Sequence, residues 1–228
     1  MATIADNARE VHHRIDAACV RAQRPAQSVA LLAVGKTFPA DTLRAAFDAG
    51  LRSFGENYVQ EAIDKIAALA DLRERIQWHL IGPLQSNKTR VVAEAFDWVH
   101  TVDRLKIAQR LSEQRPADLP PLQLCLQVNI SAEASKSGLA VDEVPAVARA
   151  VAALPRVRLR GLMAVPAPAS DPAAQRVPYA RLRELLASLQ RDGLDVDTLS
   201  MGMTADLEAA IAEGATMVRV GTAIFGMR

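Results

Sequence analysis

The sequence predicts an α/β protein, a closed (β/α)₈ barrel preceded by one extra helix. Three observations predict it. Eight short apolar runs alternate with amphipathic segments along the chain, the pattern of repeated strand–helix units. The 228 residues match the size of one such barrel, roughly 200–250 residues as a single unit, and 50% of them are hydrophobic, ample for one core. Only eight residues follow the last run at Val220, too few for a full eighth helix, whereas the amphipathic segment Ile4 to Val20 has the length to cover that gap. Residues 1 to 228 are expected to form one domain, with 1 to 24 packing on the barrel as a helix. An open doubly wound sheet is the competing architecture.

The elements follow in order. Val29 to Val34 (VALLAV) is a strand-length run with a β-branched residue at each end. Leu43, Ala46 and Phe47 then recur at helical spacing, and Gly50 supplies the stop. A very short strand lies around Ser53 to Gly55. Asn57 and Gln60 form a candidate capping box for a helix whose apolar stripe is Val59, Ile63, Ile66 and Ala70. Gln77 to Ile81 is the third strand and Ser86 to Ala95 the third helix. Trp98 to Val102 is the fourth strand, followed by a helix through Leu105, Ala108 and Leu111, which Pro116, Pro120 and Pro121 bring to an end. Leu122 to Ile130 is the clearest strand, Val157 to Met163 the sixth, Thr198 to Met201 the seventh and Met217 to Val220 the eighth. Helices are expected from Val144 to Leu154, Tyr179 to Leu189 and Leu207 to Ala212, and Val165 to Ala174 as a long loop.

The fifth strand predicts the character of the lumen. Leu122, Leu124, Leu126 and Val128 share one face; Gln123, Cys125, Gln127 and Asn129 share the other. If the apolar face meets the helices, amides point inward and need partners, either one another or a bound polar ligand.

Charge and cysteine content exclude several function classes. With 27 basic against 26 acidic residues the net charge is +1, so no global field draws nucleic acid or an anionic membrane. Cys19 and Cys125 are too few for a disulfide framework and lack metal-ligand spacing. The N-terminus has no apolar run of a secretory signal, and no apolar stretch approaches the ~20 residues of a membrane span. A cytoplasmic protein is expected. Carboxylates are dispersed, and no G-x-G-x-x-G, Walker or G-x-S-x-G pattern occurs.

In such barrels function sits on the loops after the strands. Lys36 ends an apolar strand, where an ammonium is costly unless paired or deprotonated; such a lysine can attack an aldehyde as a nucleophile, or its head can reach out to solvent. Ser200 and Gly202 after strand seven, and Gly221 and Thr222 after strand eight, are glycine-and-hydroxyl turns on the two strands that commonly bind phosphate. Arg219 is expected to point into the lumen and so to demand an acceptor, either Glu56 or another carboxylate, or a ligand atom such as an unprotonated ring nitrogen. His79 reads as a satisfied core histidine; His12 and His13 as solvated.

The segments AVGKTFP around Lys36, FGENYVQE around Asn57, WHLIGPLQSNK from Trp78, LQVNISAEASKSGL up to Leu139, RGLMAVP around Met163, LSMGMTADLEAAI up to Ile211 and VRVGTAIFG up to Gly226 together resemble the pyridoxal-phosphate homeostasis protein family. The resemblance runs from the first strand to the C-terminus. It implies an alanine-racemase-like barrel of pyridoxal-phosphate fold type III that binds pyridoxal 5′-phosphate, with Lys36 as the Schiff-base lysine. It further implies a phosphate site of Ser200, Gly221 and Thr222 with the Met201 and Gly202 backbone, Arg219 facing the pyridine nitrogen, Asn57 lining the cofactor, and Lys136 as a second lysine nearby. The implied role is buffering and delivery of the cofactor to recipient apoenzymes, without catalysis and as a monomer. A pyridoxal-dependent racemase-like enzyme, and a Schiff-base aldolase without cofactor, are the competing functions.

Overall fold

The computed structural model describes residues 3–131 and 137–226. Helix α1 (Ile4–Arg21) opens on a capping box in which the Thr3 side chain accepts from the Asp6 N–H and the Asp6 carboxylate accepts from the Thr3 N–H. Then follow β1 (Ala30–Val34), α2 (Ala40–Asp48), β2 (Ser53–Glu56), α3 (Val59–Ala68), β3 (Gln77–Leu80), α4 (Thr89–Ala95) and β4 (Trp98–Val102). The second half runs α5 (Leu105–Gln114), β5 (Leu122–Gln127), α6 (Val144–Ala152), β6 (Val157–Met163), α7 (Pro172–Arg191), β7 (Thr198–Ser200), α8 (Leu207–Ala212), β8 (Met217–Val220) and α9 (Thr222–Phe225).

All strand pairs are parallel, in the order β1 to β8, and β8 closes on β1 through Ala30↔Met217 to Ala33↔Val220. Closure excludes the open sheet. It follows from period-2 patterning, because each strand offers its large apolar residues to the helix shell. Leu122, Leu124, Leu126, Leu162 and Val218 join the core between barrel and helices. Trp98, Cys125 and Met163 form a separate cluster inside the lumen. α1 covers the seam beside α8 and the one-turn α9: Asn7 donates to the Ile224 carbonyl at 2.9 Å, and Arg14 pairs with Glu208 at 3.0 Å and donates to the Thr204 carbonyl.

Three local expectations change. The Asn57–Gln60 capping box does not form: α3 starts after Tyr58 without a side-chain cap, and Gln60 donates to Asp64 instead. The Asn57 backbone lies against Gly82, where a Cβ would come within 2.0 Å of the Asn57 carbonyl oxygen, and the N-cap position falls one residue later, at Tyr58. The innermost residues of α3 are Ala62 and Lys65, while Ala70 lies exposed beyond the helix. The long loop after β6 is shorter than expected because α7 begins at Pro172. Asp171 caps it by accepting from the Ala174 N–H, Pro172 suits a first-turn position, and the helix carries Pro178 within its span.

Both cysteines are buried, and burial pushes the Cys125 thiol up to about 12. Native protein is therefore expected to resist a thiol-alkylating reagent and to consume it only on unfolding; a fast reaction at Cys125 in the folded state would contradict the lumen packing.

Candidate functional site

The strand ends that carry the predicted residues converge on the C-terminal mouth of the barrel. The β1–β8 register sets Ala33 against Val220. One step on, a Cβ on Gly221 would lie 3.2 Å from the Val34 carbonyl oxygen, so the two strands are in close contact there. Lys36 follows two residues later on an exposed turn, on the same rim as Thr222, which is also exposed. Thr222 opens α9, where the Ile224 and Phe225 N–H groups bond to the Gly221 carbonyl. The N–H groups of Thr222 and Ala223, in the first turn, lie outside that helix's own pattern.

Arg219 points into the lumen, as strand alternation requires, and is 5% exposed. Its Nη1 donates to the Ser200 carbonyl at 2.6 Å and to Ser200 Oγ at 2.9 Å, and its Nη2 donates to the Ala164 carbonyl at 2.9 Å. These three contacts use neither Nε–H nor the second N–H of Nη2. Burial lowers the pKa of the guanidinium, with Tyr179, Asp206 and Cys125 working the other way. Glu56 is not its acceptor: that carboxylate is fully buried behind β2, bonded to Lys65 Nζ at 2.9 and 3.0 Å.

Ser200 is fully buried, and its hydroxyl lies between Arg219 and His100 Nδ1, the latter at 2.8 Å. His100 Nε2 in turn lies 2.9 Å from His79 Nδ1, and the His79 ring stacks on Trp98 with centroids 5.4 Å apart. A continuous hydrogen-bonded chain thus crosses the lumen from Ala164 through Arg219, Ser200 and His100 to His79. Burial pushes His79 down to about 3, and it pushes His100 well below its ordinary value, with the nearby His79 and Arg219 adding to the effect. Both rings are neutral at physiological pH.

The remaining tips are distributed as follows. Met201 closes the β7–β8 ladder by donating its N–H to the Met217 carbonyl, and its side chain joins the core. Gly202 has φ +92° and accepts from the Arg219 N–H. A Cβ there would sit 2.5 Å from Ala210 Cβ, so only glycine fits. Asn57 is half-buried at the end of β2. Lys136 lies outside the described residues. The fifth-strand amides find protein partners: Gln123 accepts from Arg160 and donates to the Pro121 carbonyl, and Gln127 donates to the Ser137 carbonyl. Among the described residues no group of three or more His, Cys, Asp or Glu is placed to hold a metal, and no helix is long and apolar enough to cross a membrane.

Sequence reasoning missed His100, Lys65 and Glu61. His100 alternates with Trp98 along β4, which was signal enough to turn it inward. Lys65 and Glu61 carried none, because charged residues on a surface helix ordinarily face water. Here Lys65 is 5% exposed and donates to Glu61 at 2.6 Å and to the Gly35 carbonyl at 2.8 Å.

Comparison with known proteins adds to this geometry. Residues 7–228 match the family model described as alanine racemase, N-terminal domain. The chain is 63% identical to the pyridoxal phosphate homeostasis protein of Pseudomonas aeruginosa over 228 residues, covering 100% of this chain and 97% of the relative. It is 54% identical to the protein of the same name in Escherichia coli K12, covering 100% and 98%. Among solved structures it is similar to PipY of Synechococcus elongatus with pyridoxal phosphate bound, with a TM-score of 0.83 at 40% identity, covering 98% of this chain and 100% of that one.

Proposed function

The chain belongs to the pyridoxal phosphate homeostasis protein family, and on that premise we propose that it binds pyridoxal 5′-phosphate at the barrel mouth and buffers and delivers it rather than catalysing a reaction. The observation that carries the reading is the β1–β8 register, which brings the Lys36 turn and the Gly221–Thr222 turn to one rim above the buried Arg219. The donor set suits this molecule. Lys36 supplies an amine for the aldehyde. The Thr222 hydroxyl and the first N–H groups of α9 suit a phosphate dianion, and the Gly202 turn lies on the neighbouring strand. Bound, the cofactor supplies an aldehyde for the lysine and a ring able to withdraw electrons.

Arg219 is assigned to the ring nitrogen through Nε–H, and a guanidinium there disfavours ring protonation, because two positive charges would face each other. An unprotonated ring withdraws electrons less, which favours holding the cofactor over amino-acid chemistry. Ser200 is assigned to the phosphate only through the mouth it supports: its buried hydroxyl and carbonyl hold Arg219 in place. Asn57, directly after β2, is assigned to the lining of the cofactor site, and Lys136 is assigned the part of a second lysine. Neither tyrosine suits a racemase acid or base. Tyr179 is buried and donates to Asp206 at 2.7 Å, and burial pushes its hydroxyl pKa up; Tyr58 is 57% exposed on a loop.

Delivery to pyridoxal-dependent apoenzymes, by a monomer in the cytoplasm, completes the proposal. Exposed apolar side chains on three loops of the mouth (Tyr58, Val165 and Met203) support contact with a recipient there.

The testing experiment is a visible spectrum of loaded protein before and after borohydride reduction, followed by peptide mapping; the trapped lysine is expected to be Lys36. Incubation with amino acids in deuterated water is expected to show no α-deuterium incorporation at enzyme-like turnover, and steady incorporation with inversion would refute the carrier role. Thr222→Val is expected to weaken cofactor retention by about 1–3 kcal/mol through loss of one hydrogen bond to a charged acceptor. Equilibrium dialysis measures this, and equal retention by variant and parent would remove Thr222 from the phosphate site.

A further inference from the structure

The two peptide groups that flank Lys36 are both held by one buried ion cluster. On one side, Lys65 Nζ donates to the Gly35 carbonyl at 2.8 Å. On the other, the Thr37 N–H donates to Glu61 Oε1, the same oxygen that accepts from Lys65 at 2.6 Å. Behind them Glu56, fully buried, takes Lys65 on both carboxylate oxygens. A buried ammonium demands such pairing, since an unpartnered charge in the interior is strongly unfavourable.

The local backbone shows what the cluster has to hold. Thr37 has φ +63°, a left-handed conformation that a β-branched residue adopts only when its surroundings impose it. Gly35 is tightly packed, since a Cβ there would meet Glu56 Oε1 at 2.8 Å and displace it. Beside the turn lies an open groove lined by Thr37, Pro39, Ala40, Glu61 and Asp64. The Glu61 side chain is 28% exposed, so the contact to Thr37 can be removed without opening the core.

We propose that Glu61 and Lys65, braced by Glu56, are positioning residues for Lys36: by fixing the Gly35 carbonyl and the Thr37 N–H they hold the turn so that the lysine amine meets the cofactor aldehyde. The proposal rests on Lys36 being the lysine that binds the cofactor. α3, which carries Glu61 and Lys65, thereby sets how readily the protein captures its ligand.

The test compares Glu61→Ala, Glu61→Gln and parent protein. In apoprotein, hydrogen exchange at the Thr37 amide is expected to accelerate in Glu61→Ala and to stay near the parent rate in Glu61→Gln, which keeps an acceptor oxygen. On mixing with pyridoxal 5′-phosphate, the visible band is expected to form on the order of 10-fold more slowly in Glu61→Ala, as misplacement of a reacting group predicts, with rescue by Glu61→Gln. Band formation at the parent rate in Glu61→Ala would overturn the proposal. So would a lowered melting temperature with unchanged Thr37 exchange and unchanged band formation, the outcome of a purely structural tie. Borohydride trapping on a lysine other than Lys36 in parent protein would instead overturn the cofactor assignment, whatever the exchange data show.

Discussion

Lys36→Ala is expected to abolish the visible band of the cofactor-loaded protein and to leave no lysine trapped by borohydride, while the apoprotein keeps its fold. The loss is complete because alanine at this position offers no nucleophile. The fold survives because Lys36 is an exposed side chain on a turn, outside every buried cluster, and because the backbone there is held by the Lys65 and Glu61 contacts to Gly35 and Thr37, which do not involve the lysine side chain. Residual cofactor binding through the phosphate site alone is expected, seen as weak equilibrium retention without the band. A variant with the parent spectrum would show that a different lysine holds the aldehyde, Lys136 being the first to examine, and the assignment of the site would fall.

The second large effect concerns acid stability. His79 and His100 are neutral in the folded protein because burial disfavours their charge, whereas the unfolded chain protonates both near the ordinary value of 6.5. As pH falls below 6.5 the unfolded state binds protons that the folded state refuses, so stability falls with pH, for His79 down to about 3. Between pH 7.5 and 5 this amounts to roughly 2 kcal/mol for His79, with His100 acting in the same direction. Glu56 opposes it. Burial, partly offset by Lys65, pushes that carboxyl up to about 7 from 4.5, so the folded state takes up its proton first and gains stability as pH falls from about 7 towards 4.5. Replacing both histidines, as His79→Phe/His100→Phe, is therefore expected to make stability fall less, or rise more, on acidification than it does in the parent. Denaturant titrations at pH 7.5 and 5 measure the difference. Ring-carbon NMR supplies a direct check: neither ring is expected to titrate above pH 5 while the fold persists, and a ring titrating near 6.5 in folded protein would contradict the buried chain.

Much of this was legible from local pattern. The bounds of β4, β6 and β8 agree with the runs that predict them, because residues that are buried on at least one face recur through each of them. The inward and outward faces of β5 followed from alternation alone. Positions at strand tips were legible too, since a barrel brings those tips to one face whatever the side chains. Less legible was what each polar group does once there. Ser200 and Gly202 look alike in sequence as a hydroxyl-and-glycine turn, yet one is sealed under Arg219 and the other turns the chain at the mouth. α7 was predicted only over Tyr179 to Leu189, after a loop from Val165 to Ala174, whereas the capping carboxylate of Asp171 starts the helix at Pro172.

The sequence by itself determined the barrel, the order of its strands, the inward turn of Arg219 and the place of Lys36 on the same rim as Gly221 and Thr222, because all of these follow from periodicity and the closure of eight repeats. Only the tertiary structure decided the partners. Arg219 and Glu56 are each a lone charge in the sequence, and whether they met each other or separate partners depended on which face of β2 and which turn of α3 came together. Hydrogen bonds link residues far apart in the chain, such as Ser200 to His100 or Thr37 to Glu61. Such pairings are set by three-dimensional packing, to which the spacing of residues along one strand or helix is blind.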